Sequence, residues 1–328
     1  MRRHAALSVV TALAVLGVGA ISGSVAAAPL SNGRIAFGEE RPGSEDITVV
    51  VSNPDGTHAK DVVANMGCLS WSPDGSKLLV CVPDDRGLAR PATLNADGTG
   101  FTILDNPDPA LNLFCWSWSP DGTRLACEGG EDPPSDRDGL YTVRASDGGG
   151  LVRLTDDLNS CCPFLPGDGF PGGYSPDGGR IAFTRLNAKG QSSVFTVRAD
   201  GSNERQVTPW GLGAASPRWS RDGAWIVTDL YDRYPSPSWL SHGRLYLVHP
   251  DGSGLHRIDV QTGGSWYYAK EPAWSPSGDR IIFVMYLGSN DGQPDVFTMN
   301  PDGTHVTQVT DTEVTETTPQ WGTHPLAT

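Results

Sequence analysis

Short runs of alternating apolar and polar residues fill this chain, and they come in pairs joined by tight turns. Arg180-Ile181-Ala182-Phe183-Thr184 and Ser193-Val194-Phe195-Thr196-Val197-Arg198 are two such runs. A period of two places successive side chains on opposite faces, which suits a β-strand with one face buried. Two kinds of turn signal stand between the runs. One is an aromatic residue followed by Ser-Pro-Asp-Gly or a close variant, and the other is a bare Asp-Gly. Asp caps such a turn through its side chain and Gly supplies the positive φ, so Asp-Gly between alternating runs is a strong hairpin signal. Around Tyr174 the pattern predicts four strands: Gly172–Ser175, Arg180–Thr184, Ser193–Arg198 and Glu204–Thr208. Past residue 27 no stretch sustains the period of an amphipathic helix.

This four-strand unit recurs. WSPDGSKLLV, WSPDGTRLAC, YSPDGGRIAF, WSRDGAWIVT and WSPSGDRIIF are copies of one element, led by Trp71, Trp118, Tyr174, Trp219 and Trp274, and Trp321 begins a sixth. Neighbouring copies lie 45 to 56 residues apart. The bare Asp-Gly turns begin at Asp55, Asp97, Asp147, Asp200, Asp251 and Asp302, with a mean period of about 49. Four antiparallel strands in such a period describe one blade of a β-propeller. The fold class predicted is all-β, a six-bladed β-propeller of four-stranded antiparallel blades. The other half of the sixth copy stands near the N-terminus, where Asn32-Gly33-Arg34-Ile35-Ala36-Phe37 matches Gly178-Gly179-Arg180-Ile181-Ala182-Phe183. The sixth blade is therefore expected to be shared. Its innermost strand is placed around Pro319-Gln320-Trp321, and its other three at Arg34–Gly38, Ile47–Ser52 and Ala59–Ala64. Pairing the two ends in one sheet closes the ring and leaves no open edge around it. Residues 28–328 are thus expected to form a single domain.

The repeat W-S-P-D-G-x-x-I-A-F, followed by a strand and N-x-D-G-[ST], resembles that of the TolB family of propellers, over residues 32–328. The resemblance implies the same six-bladed fold and a periplasmic protein-interaction role in the cell envelope. Family members carry a further α/β domain ahead of the propeller. Here the first blade strand follows the leader so closely that no such domain is expected. Similar propellers also precede α/β-hydrolase domains in dipeptidyl peptidases, and such a domain is likewise not expected after the sixth blade. Likeness of fold fixes no function, because function resides in sites grafted onto folds.

Composition narrows the setting. The formal net charge is −14, which disfavours binding to the phosphate backbone of nucleic acid or to an anionic membrane surface. Met1-Arg2-Arg3-His4 is a basic start, Ala5–Ile21 is almost wholly apolar or small, and Val25-Ala26-Ala27 offers small residues for cleavage. That order predicts a secretory signal peptide over residues 1–27, cut after Ala27. The alternative is an uncleaved anchor helix, against which the shortness of the apolar run counts. No Cys follows that run closely, which argues against a lipid anchor. The mature chain is expected outside the cytoplasm (in the periplasm if the host has an outer membrane), as a monomer without stable membrane insertion.

Export makes the six cysteines disulfide candidates. They are Cys68, Cys81, Cys115, Cys127, Cys161 and Cys162. With Asp74-Gly75 at the centre of a hairpin, Trp71 opposes Leu78 and Cys68 opposes Cys81, close enough to be bridged. The same register sets Cys115 opposite Glu128, one residue off Cys127. A Cys115–Cys127 bridge then needs a bulge, or Cys115 pairs with Cys161 or Cys162. Free buried thiols are the remaining alternative. Metal binding is disfavoured, since Cys161 and Cys162 are adjacent and lack a second ligand pair.

Motifs that carry chemistry are few. The chain has no G-x-S-x-G elbow, no H-E-x-x-H and no phosphate-binding glycine loop. Its nearest approach to an elbow, Gly173-Tyr174-Ser175-Pro176-Asp177, is a blade turn. His58 and His305 occupy equivalent places after Asp-Gly turns, His249 and His256 flank another, and no histidine cluster is apparent. No catalytic residue, cofactor or metal is assigned. The expected role is a non-catalytic binding or scaffold module whose partner is an envelope or secreted protein or a peptide. The alternative is a propeller lyase or hydrolase acting on an extracellular glycan or polymer. The long insertions, Gly129–Asp138, Asp156–Pro171, Leu230–His242, Gln261–Glu271 and Leu287–Gln293, should all fall on the face opposite the tight turns. Tyr231, Tyr234 and Trp239 lie in one of them, and Trp266, Tyr267 and Tyr268 in the next. These rings are neighbours on the rim of the fourth and fifth blades. They suit a recognition surface, and equally they could pack long loops down. Asp132, Asp136 and Asp232 nearby favour a basic or polar partner.

Overall fold

The alternating runs pair as their turns dictate. The computed structural model describes residues 30–44, 46–131, 137–155, 171–231, 243–263, 267–287 and 293–328. Among them it forms six four-stranded antiparallel sheets and no helix. No described helix is therefore long and apolar enough to cross a membrane. The unit around Tyr174 consists of Pro171–Tyr174, Arg180–Leu186, Ser192–Arg198 and Arg205–Gln206, side by side in chain order. Its outermost strand is shorter than the pattern predicts. Outer strands of two exposed or half-exposed residues recur at Thr102–Ile103, Val152–Arg153, His256–Arg257 and Thr307–Gln308. Short edges of this kind leave little unpaired backbone to recruit a second chain.

The innermost strands are Leu69–Trp71, Asn112–Trp118, Pro171–Tyr174, Ala214–Trp219, Tyr267–Trp274 and Thr315–Trp321. Each touches the next, and the last touches both its predecessor and the first, so the ring is closed. We number the blades 1 to 6 in this order. Apolar side chains of one blade pack on the face of the next. At the seam of blades 4 and 5, Val227 and Leu245 join Ile281, Phe283 and Met299 in one buried cluster.

Blade 6 is shared between the two ends of the chain. Its sheet order is Thr315–Trp321, Ile35–Glu40, Ile47–Ser52, Lys60–Val63, with Ile35 opposite Trp321 and Glu39 opposite Glu316. The closure extends past the strands. Gly33 N donates to Gly322 O at 2.9 Å, Trp321 Nε1 to Gly33 O at 2.9 Å, and Ala327 N to Asn53 Oδ1 at 2.9 Å. His324 lies stacked on Trp71 with ring centroids 5.6 Å apart. Gly75 is required beneath this tail: its φ is +70°, and a Cβ there would lie 2.5 Å from His324 N.

The aromatic turns are built as the sequence suggests. Ser119 Oγ donates to Asp121 Oδ1 at 2.6 Å, Thr123 N donates to the same oxygen at 3.0 Å, and Arg124 N donates to Ser119 Oγ at 2.9 Å. The inner strands, however, are not regular. Five sheets break register there, between Cys115 and Ser117, Pro171 and Gly173, Ala215 and Arg218, Lys270 and Ala273, and opposite Ala36–Gly38. In three of them a residue of positive φ precedes a proline: Ser216 at 47°, Glu271 at 55° and Thr318 at 46°. Proline has no N–H for the ladder, so a bulge is its natural place in a sheet.

One bulge settles a cysteine pairing. The ladder register skips Trp116, so Cys115 faces Cys127 rather than Glu128. The chain forms the disulfides Cys68–Cys81 and Cys115–Cys127. The two lie together, with Cys115 N donating to Cys81 Sγ at 3.2 Å. Cys161 and Cys162 fall outside the described residues, as do residues 1–29.

Candidate functional site at the channel mouth

Each innermost strand starts on the long-loop face and runs toward its aromatic turn, so its first residues ring the channel mouth on that face. The strand 267–274 brings Tyr267 and Tyr268 there, opposite Leu287 and Tyr286. Tyr268 and Tyr286 are a cross-strand pair, stacked with centroids 4.0 Å apart. The Arg244 guanidinium sits over the Tyr267 ring, 4.7 Å from its centroid. Tyr231 ends the second strand of blade 4 and donates its hydroxyl to Asp229 Oδ2 at 2.9 Å. All three tyrosines are half-buried with a partner in place. Tyr234, Trp239 and Trp266 lie outside the described residues.

Beneath these rings is a set of charges. Asp229 is fully buried, and its Oδ1 has no hydrogen-bond partner. Burial pushes its carboxyl up to about 6, partly offset by the bond from Tyr231. Arg218 stands just past the bulge of blade 4, where its Nη1 donates to Pro217 O at 3.1 Å. Burial lowers its guanidinium to about 10, against the pull of Asp229 and Glu271. Lys270 Nζ lies 3.3 Å from Glu271 Oε1. Burial would lower the Lys270 ammonium, but Glu271, Tyr286 and Asp229 together outweigh it and hold the group above its usual range. Glu271 occupies the bulge of blade 5, and its Oε2 accepts the N–H of Thr318, in the bulge of blade 6, at 2.6 Å. Burial, then the charges of Asp229 and Glu271, raise the Tyr231 hydroxyl well above its ordinary value.

Loop lengths in the sequence point to tyrosines on this rim, but not to Arg218, Asp229, Lys270 and Glu271. A signal for two of them was present. The position before the aromatic holds Ser70, Ser117, Gly173, Ala273 and Gln320 in the other blades but Arg218 in blade 4. Three residues before it stand Cys68, Cys115, Pro171, Ser216 and Thr318, but Glu271 in blade 5. The arrangement brings cations, carboxylates and tyrosine hydroxyls together along one stretch of the inner ladder. Among the described residues no group of three or more His, Cys, Asp or Glu is placed to hold a metal.

No known protein-family profile matches the chain. An uncharacterized protein of Agrobacterium fabrum is 28% identical over 225 residues, which are 66% of this chain and 64% of that protein. A Bacillus subtilis protein named as the uncharacterized peptidase YuxL is 26% identical over 133 residues, 37% of this chain and 18% of its own length. The chain thus spans under two thirds of both relatives. Among solved structures, TolB from Acinetobacter baumannii superposes with a TM-score of 0.67 at 18% identity, over 88% of this chain and 66% of that one. A structure from Agrobacterium tumefaciens assigned to TolB superposes with a TM-score of 0.63 at 21% identity, over 90% of this chain and 94% of that one. With six sheets closed into a ring through a blade shared by its two ends, the chain has the TolB-like six-bladed β-propeller fold.

Proposed function

We propose that this protein is an exported, non-catalytic propeller that binds a protein or peptide partner of the cell envelope or extracellular space, through the channel mouth of blades 4 to 6. The observation that carries this reading is the concentration of Arg218, Asp229, Lys270 and Glu271 beneath three tyrosines, with Asp229 left one hydrogen bond short. Such a wall can match donors and acceptors along a partner segment, and rings and arginines anchor interfaces well. Two disulfides fit an oxidising compartment, as does the leader-like N-terminus. The likeness to a named peptidase covers only a small part of that protein, so peptidase chemistry is not carried over.

The test is a crosslinking pull-down from the source organism's envelope fraction. Wild-type chain is compared with a Tyr267→Ala/Tyr268→Ala/Lys270→Ala variant of unchanged melting temperature. A partner captured by the wild type and lost by the variant supports the reading. Capture that is equal in both removes the site from this rim. Turnover of a peptide or glycan substrate by the purified chain would replace the binding module with an enzyme.

A further inference from the structure

The opposite face carries a second kind of surface. At three seams a shallow groove opens between the turn of one blade and the aromatic residue of the next. Between blades 1 and 2 it is lined by Lys77 and Trp118, and between blades 3 and 4 by Arg180 and Trp219. The groove between blades 4 and 5, of about 490 Å³, is lined by Ser220, Arg221, Asp222, Trp225, Trp274 and Ser277, among others.

Trp225 is what makes this groove different. The sixth residue after the aromatic is basic in the other blades, Lys77, Arg124, Arg180 and Arg280, and Arg34 takes the place in the shared blade. Three of these cations have a visible structural task. Arg124 donates to Thr142 Oγ1 at 3.0 Å and to Gly150 O at 2.9 Å. Arg180 reaches Thr196 Oγ1 at 3.1 Å and Asn203 O at 3.3 Å, and Arg280 reaches Thr298 Oγ1 at 2.7 Å and His305 O at 3.1 Å. Each arginine thus ties the third strand to the turn beyond it. Blade 4 has given up this tie. Trp225 replaces the arginine, and Leu247 stands at the ladder position of those threonines.

Other rings hold the indole in place. His249 stacks on it at 3.7 Å between centroids, with its own Nδ1 2.8 Å from Ala224 O, and His256 meets it edge-on at 5.4 Å. Trp274 is fixed as well, donating Nε1 to Arg218 O at 3.2 Å. The groove is therefore walled by two oriented indoles.

We propose that this groove binds neutral pyranose units of a saccharide, with Trp225 as the stacking platform. An indole offers a flat apolar surface that matches the C–H face of a sugar ring, and its polar edge stays available to water or ligand. The rim offers polar atoms of both kinds, as sugar hydroxyls require: the Arg221 guanidinium, whose Nη1 also donates to Pro276 O at 3.2 Å, the Asp222 carboxylate, and the oxygens of Ser220 and Ser277, whose own protons go to Asp222 and Asp279. Asp222 stays ionised because Ser220 Oγ and Ala224 N donate to it, which holds its carboxyl below the ordinary range. One cation beside one anion favours neither a phosphorylated nor a cationic ligand. The groove's volume lies within the span typical of small-ligand sites, roughly 300–1,000 Å³. This site lies on the opposite face from the channel mouth and does not depend on the role proposed for it.

The test titrates the full chain with maltotriose, cellotriose and triacetylchitotriose, read by saturation-transfer NMR and calorimetry. Trp225→Arg is the informative variant, because it restores the residue that other blades carry. At least one sugar is expected to bind saturably through its ring C–H protons. Its affinity should fall about tenfold or more in Trp225→Arg, return toward wild type in Trp225→Phe, and stay unchanged in Tyr268→Ala. Arg221→Ala reads the same groove independently, so the proposal remains testable if Trp225→Arg misfolds. Failure of every sugar to bind, or equal binding by the wild type and the Trp225→Arg and Arg221→Ala variants, overturns it.

Discussion

Replacing Glu316 by Gln is expected to relieve the propeller of a weakness at alkaline pH. Glu316 lies in the ring-closing strand, fully buried and directly opposite Glu39. Thr312 Oγ1 donates to its Oε1 at 2.6 Å, while its Oε2 has no partner. Asp295 adds negative charge, and the nearby cation Arg41 is engaged by Glu39 and Asp61. Burial, then Asp295 and Glu39, push the Glu316 carboxyl up to about 7, although the Thr312 bond pulls the other way. An acid raised on folding favours the folded state while it is protonated. Its contribution is whole below about pH 4.5 and is lost as pH rises through about 7. The difference from a free glutamate corresponds to about 3 kcal/mol of stability lost by pH 9. With an unfolding entropy of about 2.1 cal/mol/K per residue, the roughly 260 described residues make this a shift of about 5 °C. Gln keeps the acceptor for Thr312 and cannot ionise. Calorimetric melts of both proteins from pH 4 to 9 should coincide within about 1 °C at the acid end and diverge by about 5 °C at the alkaline end. Parallel curves across that range would refute the assignment of a buried titrating group at the closure, because every other carboxyl is common to both proteins.

Three further outcomes follow from the same structure. Cys68→Ser/Cys81→Ser removes a bridge with a sequence separation of 13, which is expected to cost about 3 kcal/mol, or about 5 °C in a melt; an unchanged melting temperature would mean that the hairpin alone fixes this segment. Asp121→Ala deletes the acceptor for Ser119 Oγ and Thr123 N, with an expected loss of about 1 kcal/mol at pH 7. Those bonds hold its carboxyl below the ordinary range, so the gap between wild type and variant should close as pH falls through that lowered value, and a gap that persists into acid would contradict it. Deleting residues 315–328 removes the inner strand of blade 6 and the tail contacts to Gly33 and Asn53, and a truncated chain that still melts cooperatively at the wild-type temperature would show that the ring does not need this closure.

The blades were legible because their turns are local chemistry. A carboxylate and a glycine at fixed spacing decide each hairpin, and the period of the hairpins decides the ring. Cys68 opposite Cys81 followed from the same counting. The bulges were not legible, because their cause is not local. They arise where six inner strands crowd the axis, and a Cβ on Gly172 would overlap the Pro217 carbonyl of the next blade. Counting outward from a turn therefore failed by one residue at Cys115, where the strand takes up its extra residue at Trp116. The tyrosines of the mouth could be placed from loop lengths, yet the charges beneath them belong to the inner ladder, where repeat logic expects small or apolar residues.

The positions that break the repeat are more telling than those that keep it. A residue shared by most blades is answering a packing demand common to all of them, as the arginines that tie third strands to their turns do. A residue found at one blade answers something else. Arg218, Glu271 and Trp225 are each such a departure, and all three belong to blades 4 and 5. Arg218 and Glu271 feel each other's charge within the inner ladder, while Trp225 lines the groove on the face of the aromatic turns at the same seam. Each carries a cost that packing does not repay, since a guanidinium is partly desolvated, a glutamate holds a positive φ, and an arginine tie is missing. At these three positions the departures from the repeat concentrate at the seam of blades 4 and 5.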